Sequence, residues 1–292
     1  MKNDILKEIT PLTNSDCFTT FSRTKTEFDF PLHYHEEFEI NLIINANGAK
    51  RIIGDHMGEI DDVELVLVGP NLPHCWVTHN CKNKTISEIT IQFHKDLMDE
   101  KFLRRNQLFY IKEMFEKAKQ GILFSNFTTK LVQNRIVELA NKQGFLSVLE
   151  LMSVLHVLST SNDMQLLSGA TFSNINKSYN SRRVEKVIDY LNQHFDKPIS
   201  LADVANLANM TEVSFSRFFK QHTGISFIDN LLEIRLGHAS RLLIETHLPI
   251  SQIAFNCGFN NISNFNRIFK KKKGSTPKEF REDYANINRV FI

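Results

Sequence analysis

A chain of 292 residues with 42% hydrophobic content is long enough for two domains and can fill their cores, which excludes a disordered or fibrous polypeptide. No apolar run reaches the length of a bilayer span, and the start, MKNDILKEITPLTNSD, lacks the apolar stretch of a secretory signal, so a cytoplasmic protein without membrane contact is expected. The net charge of +2 is uneven: residues 181–292 carry 16 Lys and Arg against 11 Asp and Glu, a net +5, so only this third has the balance of a polyanion's partner.

From about residue 18 to 93 short apolar runs (EFEINLII, AKRII, VELVLV, TISEITIQF) alternate with the turn signals NANG, GD and GPNLP, the pattern of a β-rich segment. In FPLHYHEEFEINLII, His33, His35 and Glu39 stand at even separations, so an unbroken strand puts all three on one face. Cys17, Cys75, Cys81 and Cys257 form no CxxC pair and fit reduced, structural thiols. From His94 to about Ser161 the apolar spacing turns helical, in LFYIKEMFEKA, TTKLVQNRIVELA and FLSVLELMSVLHVL. The last of these, residues 145–158, is apolar on more than one face and needs two neighbours: the sheet and a second subunit, or burial within one chain. The Ser- and Asn-rich stretch 160–181 reads as a linker, and everything beyond it as helix.

The helical part repeats itself. Leu201, Val204, Ala205 and Ala208 have the spacing i, i+3, i+4, i+7, as do Ile250, Ile253, Ala254 and Cys257, 49 positions later. Tight turns follow at Asn209-Met210 and Gly258-Phe259, where Asn or Gly tolerates positive φ. Beyond the turns the offset is 50, pairing Phe215 with Phe265, Arg217 with Arg267, Phe219 with Phe269, Lys220 with Lys270 and Gly224 with Gly274. The duplicated unit is a helix-turn-helix. Phe215, Phe218 and Phe219, and likewise Phe265, Ile268 and Phe269, form core faces; Val213, Ser216, Arg217 and Lys220, and Ser263, Asn266, Arg267 and Lys270, point away. Arginine donates bidentately to guanine, asparagine to adenine, and lysine neutralises phosphate, so the outward stripe has the chemistry of a major-groove reader. Between the copies FIDNLLEIRLGHASRLLIET supplies a helix of about 27 Å, comparable to a turn of DNA.

From Arg182 to Arg281, and above all in RLGHASRLLIETHLPISQIAFNCGFNNISNFNRIFKKKKGSTPKEFR, the sequence resembles the AraC/XylS-type transcription regulators. The resemblance implies base contacts at Val213, Ser216 and Arg217 in the first motif and at Ile262, Ser263, Asn266 and Arg267 in the second. Phe227 departs from the proline often found after the first repeat's glycine, whereas Thr276-Pro277 keeps it in the second. The family often carries a small cupin-type β-barrel ahead of the DNA-binding domain, and residues 18–93 look like one. His33, His35 and Glu39 then point into the barrel, and His74, in GPNLPHCW, is similar to the fourth metal ligand of enzymatic cupins. Three imidazoles and a carboxylate suit Fe, Mn, Ni or Zn. Against this stands a barrel mouth of His, Glu and Trp76 that binds a polar organic molecule, a sugar being the obvious class, and regulators resembling this chain sense with the barrel and do no chemistry there.

The expected fold is therefore α+β: a cupin-like barrel over 1–95, a helical dimerisation and connector region over 96–160, a linker over 161–181 and an all-α DNA-binding domain over 182–285 with two helix-turn-helix motifs joined by a long helix. The expected function is sequence-specific regulation of transcription under control of a small molecule bound at His33, His35, Glu39, His74 and Trp76, with no cofactor, no metal and no catalysis. Double-stranded DNA, the effector, a second copy of the chain and, for an activator, RNA polymerase are the expected partners. The competing expectation is a metal-dependent cupin enzyme fused to a DNA-binding domain.

Overall fold

The computed structural model describes residues 5–13, 15–169 and 181–290, and the chain divides into two compact units, Ile5–Ser168 and Gly169–Asn286. The first unit holds the strands β1 (Leu6–Lys7), β2 (Phe18–Lys25), β3 (His33–Tyr34), β4 (Phe38–Ile44), β5 (Lys50–Ile53), β6 (His56–Glu59), β7 (Val63–Val68), β8 (His74–Val77) and β9 (Ile86–Phe93). Helices α1 (Glu100–Leu103), α2 (Phe109–Ala118), α3 (Asn126–Leu139) and α4 (Gly144–Ser159) follow, with short strands β10 (Ile122–Leu123) and β11 (Gln165–Leu166) between and after them. Two sheets form: one of five strands in the order β1-β3-β8-β5-β6, and one of six in the order β11-β10-β7-β4-β9-β2.

Period-two alternation gives the six-stranded sheet two different faces. Phe38, Ile40 and Leu42 of β4, Leu65 and Leu67 of β7, and Ile89, Ile91 and Phe93 of β9 share one apolar core with Met114, Val132, Ile136, Leu151, Val154 and Leu158 of the helices. Glu39, Asn41, Thr90 and Gln92 point the other way and line a cavity whose opposite wall includes His33, Cys75 and Trp76 from the five-stranded sheet. The two sheets therefore face each other across this cavity.

Two expectations need correction. His33, His35 and Glu39 do not lie on one unbroken strand: β3 ends at Tyr34 in one sheet and β4 starts at Phe38 in the other, so the chain crosses between sheets within the motif. The chain also stays in the first unit beyond residue 161. Leu166 pairs with Ile122, and the Leu167 and Ser168 amides donate to Gly121 O and Gln120 O. Residues 170–180, the rest of the expected linker, lie outside the described residues.

The second unit comprises α5 (Arg182–His194), α6 (Leu201–Leu207), α7 (Glu212–Thr223), α8 (Phe227–Glu245), α9 (Ile250–Asn256), α10 (Ile262–Lys273) and α11 (Pro277–Val290). Its cap residues repeat like its apolar positions. Thr211 accepts from Ser214 N and Asn261 from Asn264 N, which starts both second helices, and Gly224 (φ 81°) and Gly274 (φ 80°) end them in the left-handed conformation. Ser226 caps α8 by accepting from Asp229 N, so α8 starts without the proline that occupies the first turn of α11, and Phe227 is buried in that place.

Candidate functional sites: a histidine cluster and two recognition faces

Two cross-strand pairs build the first site. His33 stands opposite His74 in the β3–β8 ladder, with ring centroids 4.2 Å apart, and Glu39 stands opposite Gln92 in the β4–β9 ladder. His35, in the crossing between the sheets, completes the group. Ligand atoms of His33, His35, Glu39 and His74 all lie within 4.8 Å of one another, and all four residues are buried.

Backbone carbonyls orient the three rings. His33 Nδ1 meets Pro31 O at 2.8 Å, His35 Nδ1 meets Glu37 O at 3.1 Å, and His74 Nδ1 meets Leu72 O at 2.8 Å. A carbonyl oxygen only accepts, so each Nδ1 carries a proton, and each Nε2 turns inward. His35 Nε2 lies 3.1 Å from Glu39 Oε2, His74 Nε2 lies 3.6 Å from Glu39 Oε1, and His33 Nε2 lies 3.4 Å from Glu8 Oε2. His74 Nε2 is buried without a hydrogen bond. Gln92 Nε2 donates to Glu39 Oε2 at 3.1 Å and Asn41 Nδ2 to Glu39 Oε1 at 3.2 Å.

Electrostatics follow from that packing. Burial alone would raise the Glu39 carboxyl, but the charge of His74 and the hydrogen bond of His35 hold it well below the usual carboxylate range. Burial opposes charge on His35 too, and the Glu39 hydrogen bond overcomes it and raises the imidazole. Burial, reinforced by His74, lowers His33 to about 3. Burial and the Glu39 charge raise Glu8. A carboxylate ringed by inward Nε2 atoms, one of them orphaned, is a donor set that a divalent transition metal satisfies. The adjoining cavity, about 90 Å³, is lined by His33, Glu39, Trp76, Arg23, Glu88 and Gln92 among others, so it offers both signs of charge to a small polar molecule. Trp76 lines it with its ring, since its Nε1 donates to Glu64 Oε1 at 3.0 Å.

The cluster is also tied to the end of its own unit. The Asn71 amide donates to His35 O at 2.7 Å, and the Leu72 carbonyl holds His74, so the turn from Gly69 to Pro73 is gripped by two of the four residues. Gly54 N bonds Pro73 O at 2.7 Å, and next to it Asp55 accepts from Ser168 Oγ at 2.9 Å. Leu72, Ile53 and Leu167 pack around Gly121, where a Cβ would meet each of them.

The second site is the pair of recognition faces. Val213, Ser216, Arg217 and Lys220 on α7 are exposed, as are Ile262, Ser263, Asn266, Arg267 and Lys270 on α10, while Phe215, Phe219, Phe265 and Phe269 are buried. Burial matches residue for residue from Thr211 to Ile228 against Asn261 to Lys278. The turns contain Asn209 (φ 53°) and Gly258 (φ 78°), as the repeat requires. Arg267 Nη2 bonds Asn264 Oδ1 at 3.0 Å, which draws that guanidinium along its own helix.

A family described as "Helix-turn-helix domain" matches residues 204–283. The chain is 32% identical to the "Probable transcriptional regulator LumQ" of Photobacterium leiognathi over 108 residues, 35% of this chain and 44% of LumQ. It is 27% identical to the "HTH-type transcriptional activator RhaR" of Mannheimia succiniciproducens over 279 residues, 91% of this chain and 92% of RhaR. The match places a helix-turn-helix domain over residues 204–283 of the second unit. Among solved structures, the C-terminal domain of AraT, a response regulator from Geobacillus stearothermophilus, is 38% identical, with a TM-score of 0.34, 35% of this chain and 86% of that domain covered.

The sequence points to the four residues of the cluster and misses their neighbours Glu8, Asn41 and Gln92. The signal for two of them was present: Asn41 stands two positions from Glu39, and Glu88, Thr90 and Gln92 are the polar half of the alternation in TISEITIQF. Glu8 carried no signal, because β1 is two residues long and reaches β3 by a parallel pairing.

Proposed function

We propose that this regulator reads an asymmetric DNA site through α7 and α10 and that occupancy of the barrel of its first unit adjusts this binding. The observation that carries the DNA reading is the pair of helices with one burial pattern and different outward residues: Val213, Ser216 and Arg217 against Ile262, Ser263, Asn266 and Arg267. Valine suits a thymine methyl and asparagine suits adenine, so the two halves read different sequences, with Lys220 and Lys270 on phosphates. The domains assigned are the barrel (1–95), the connecting helices (96–160) and the DNA-binding segment (182–285), acting in the cytoplasm without a catalytic step.

The effector reading rests on the polar cavity lined by His33, Glu39 and Trp76, which adjoins His35 and His74. Its support for control of DNA binding is the turn from Gly69 to Pro73, which joins the cluster to the Leu167–Ser168 end of the unit. A small polar organic molecule, a sugar among them, suits the cavity, and RNA polymerase is a partner if the output is activation. A second reading is favoured by one observation, the buried Nε2 of His74 without a hydrogen bond: the four residues hold a divalent transition metal, which supplies a Lewis-acidic anchor for the effector.

Binding-site selection with the full-length protein, paired with metal analysis and mass spectrometry of co-purified small molecules, tests these readings together. One asymmetric site whose affinity changes when the metal or ligand is removed is expected. A preference for no sequence overturns the DNA reading. Bound metal whose removal leaves DNA affinity unchanged favours the cupin-enzyme alternative.

A further inference from the structure

Each helix-turn-helix sits between a leading and a trailing helix, and α8 is both the trailing helix of the first and the leading helix of the second. An arginine on each trailing helix reaches back to the end of the leading one. Arg235 of α8 donates from Nε to Phe195 O and from Nη2 to Lys197 O, each at 2.8 Å, just past the end of α5. Arg281 of α11 donates from Nη2 to Leu248 O at 2.7 Å and from Nε to Leu243 O at 3.4 Å, at and just past the end of α8. The last carbonyls of a helix lack intrahelical partners, and the planar fork of a guanidinium can take two acceptors at once.

Arg235 also meets the second motif. Its Cζ lies 5.9 Å from the centroid of the Phe259 ring, and a Cβ placed on Gly258 would fall 2.5 Å from Phe195 O and 2.9 Å from Arg235 Nε. The end of α5, the middle of α8 and the turn of the second helix-turn-helix therefore converge on one guanidinium. His238, nearly one turn further along α8, stacks on the Phe195 ring with centroids 3.7 Å apart and planes within 3°. The segment leading into the first motif is thus held to α8 by the same guanidinium that meets the turn of the second.

We propose that Arg235 is a positioning residue for DNA reading: it locks the two helix-turn-helix motifs in one relation and so sets the spacing between the base sets that α7 and α10 contact. The proposal rests on the reading of both faces as DNA contacts. A single guanidinium holding both halves makes the pair rigid, and a rigid pair tolerates no change in spacing. One inserted base pair shifts a half-site by about 3.4 Å and about a tenth of a turn, more than a fixed pair of helices can follow.

The test uses the full-length protein, the site it selects from random DNA, versions of that site with one base pair added or removed between the halves, and a probe keeping only one half. Wild type should lose about tenfold or more in affinity on either altered spacing, the scale of losing a base contact. Arg235→Met keeps an apolar stem and removes the donors; it should bind all three spacings within about threefold of each other while its half-site affinity stays within about twofold of wild type. Arg235→Lys, which can serve one carbonyl, should fall between. A spacing ratio unchanged in Arg235→Met overturns the proposal. So does a variant that loses the half-site probe as heavily as the full site, because that outcome marks damage to the fold. If wild type selects no sequence, the DNA reading falls and the positioning role with it; a selected site with unaltered spacing ratios removes the positioning role alone.

Discussion

Arg217 and Arg267 occupy equivalent exposed positions, yet only Arg267 bonds a neighbour on its own helix, Asn264. The difference follows from the residue three positions before each: Ser214 has its hydroxyl engaged by Thr211, whereas Asn264 offers an amide oxygen within reach. Arg217→Ala is expected to cost about 1–3 kcal/mol of binding and to relax preference in one half of the site only, read by repeating the selection on the variant. Lys270→Gln should instead weaken all sequences alike and lower the salt slope by about one, read from binding at several salt concentrations. These outward residues were legible because a helical period fixes which side chains leave the core once the phenylalanines are placed. The histidine cluster was legible for a different reason: His33, His35, Glu39 and His74 are polar residues inside otherwise apolar runs, and such residues need partners. What could not be read was how they meet, since carbonyls from Pro31, Glu37 and Leu72 set the rings, and backbone hydrogen bonds to side chains leave no mark in residue type.

At the scale of elements, the repeat predicted both helix-turn-helix motifs because turns and apolar spacing agreed twice. Strand β4 was foreseen as a strand and misjudged at its start, because the even spacing of His33, His35 and Glu39 also fits a chain that changes sheets between Tyr34 and Phe38. Glycines in the second unit separate conformation from contact. Gly224 ends α7 at φ 81° with nothing within 4 Å of the place a Cβ would take, and Gly258 turns between α9 and α10 at φ 78° against Phe195 O and Arg235. Gly224→Ala therefore meets only the left-handed penalty, about 1 kcal/mol, while Gly258→Ala adds a steric clash with backbone and should cost about 3 kcal/mol or more. Thermal unfolding of the two variants checks this. Equal shifts in melting temperature would mean that the turn at Gly258 yields without disturbing its neighbours.

At the scale of the whole molecule, α4 divides its apolar residues: Leu151, Val154, Leu155 and Leu158 are buried, and Phe145, Leu146 and Leu149 are exposed. We assign that face to a second copy, which lets one assembly hold paired sites. Leu146, 72% exposed, is the residue to change: Leu146→Glu should convert a dimer at micromolar concentration to monomer in sedimentation without lowering the melting temperature, and a wild type that sediments only as monomer removes the interface. The proposed control by the barrel needs a route from the cluster to the place where the chain leaves the unit, and we assign it to the turn from Gly69 to Pro73, gripped by His35 and His74, with Leu72 beside Gly121, where Leu167 also packs. Gly54 sits in that contact at φ 57°, and a Cβ there would lie 2.3 Å from Ser168 Oγ. Gly54→Ala should therefore push Ser168 away from Asp55 while leaving the four cluster residues in place. With Zn²⁺ as the probe, wild type should change DNA affinity by about fivefold or more on saturation, the usual range of coupling between sites. The variant should bind Zn²⁺ within about threefold of wild type and show little of that change, because the ion can shift DNA affinity only through an element that differs between the two states. Calorimetry for the metal and fluorescence anisotropy for DNA give both numbers. A variant whose DNA affinity still responds to Zn²⁺ by the wild-type factor would place the route elsewhere than the Ser168 end of the sheet.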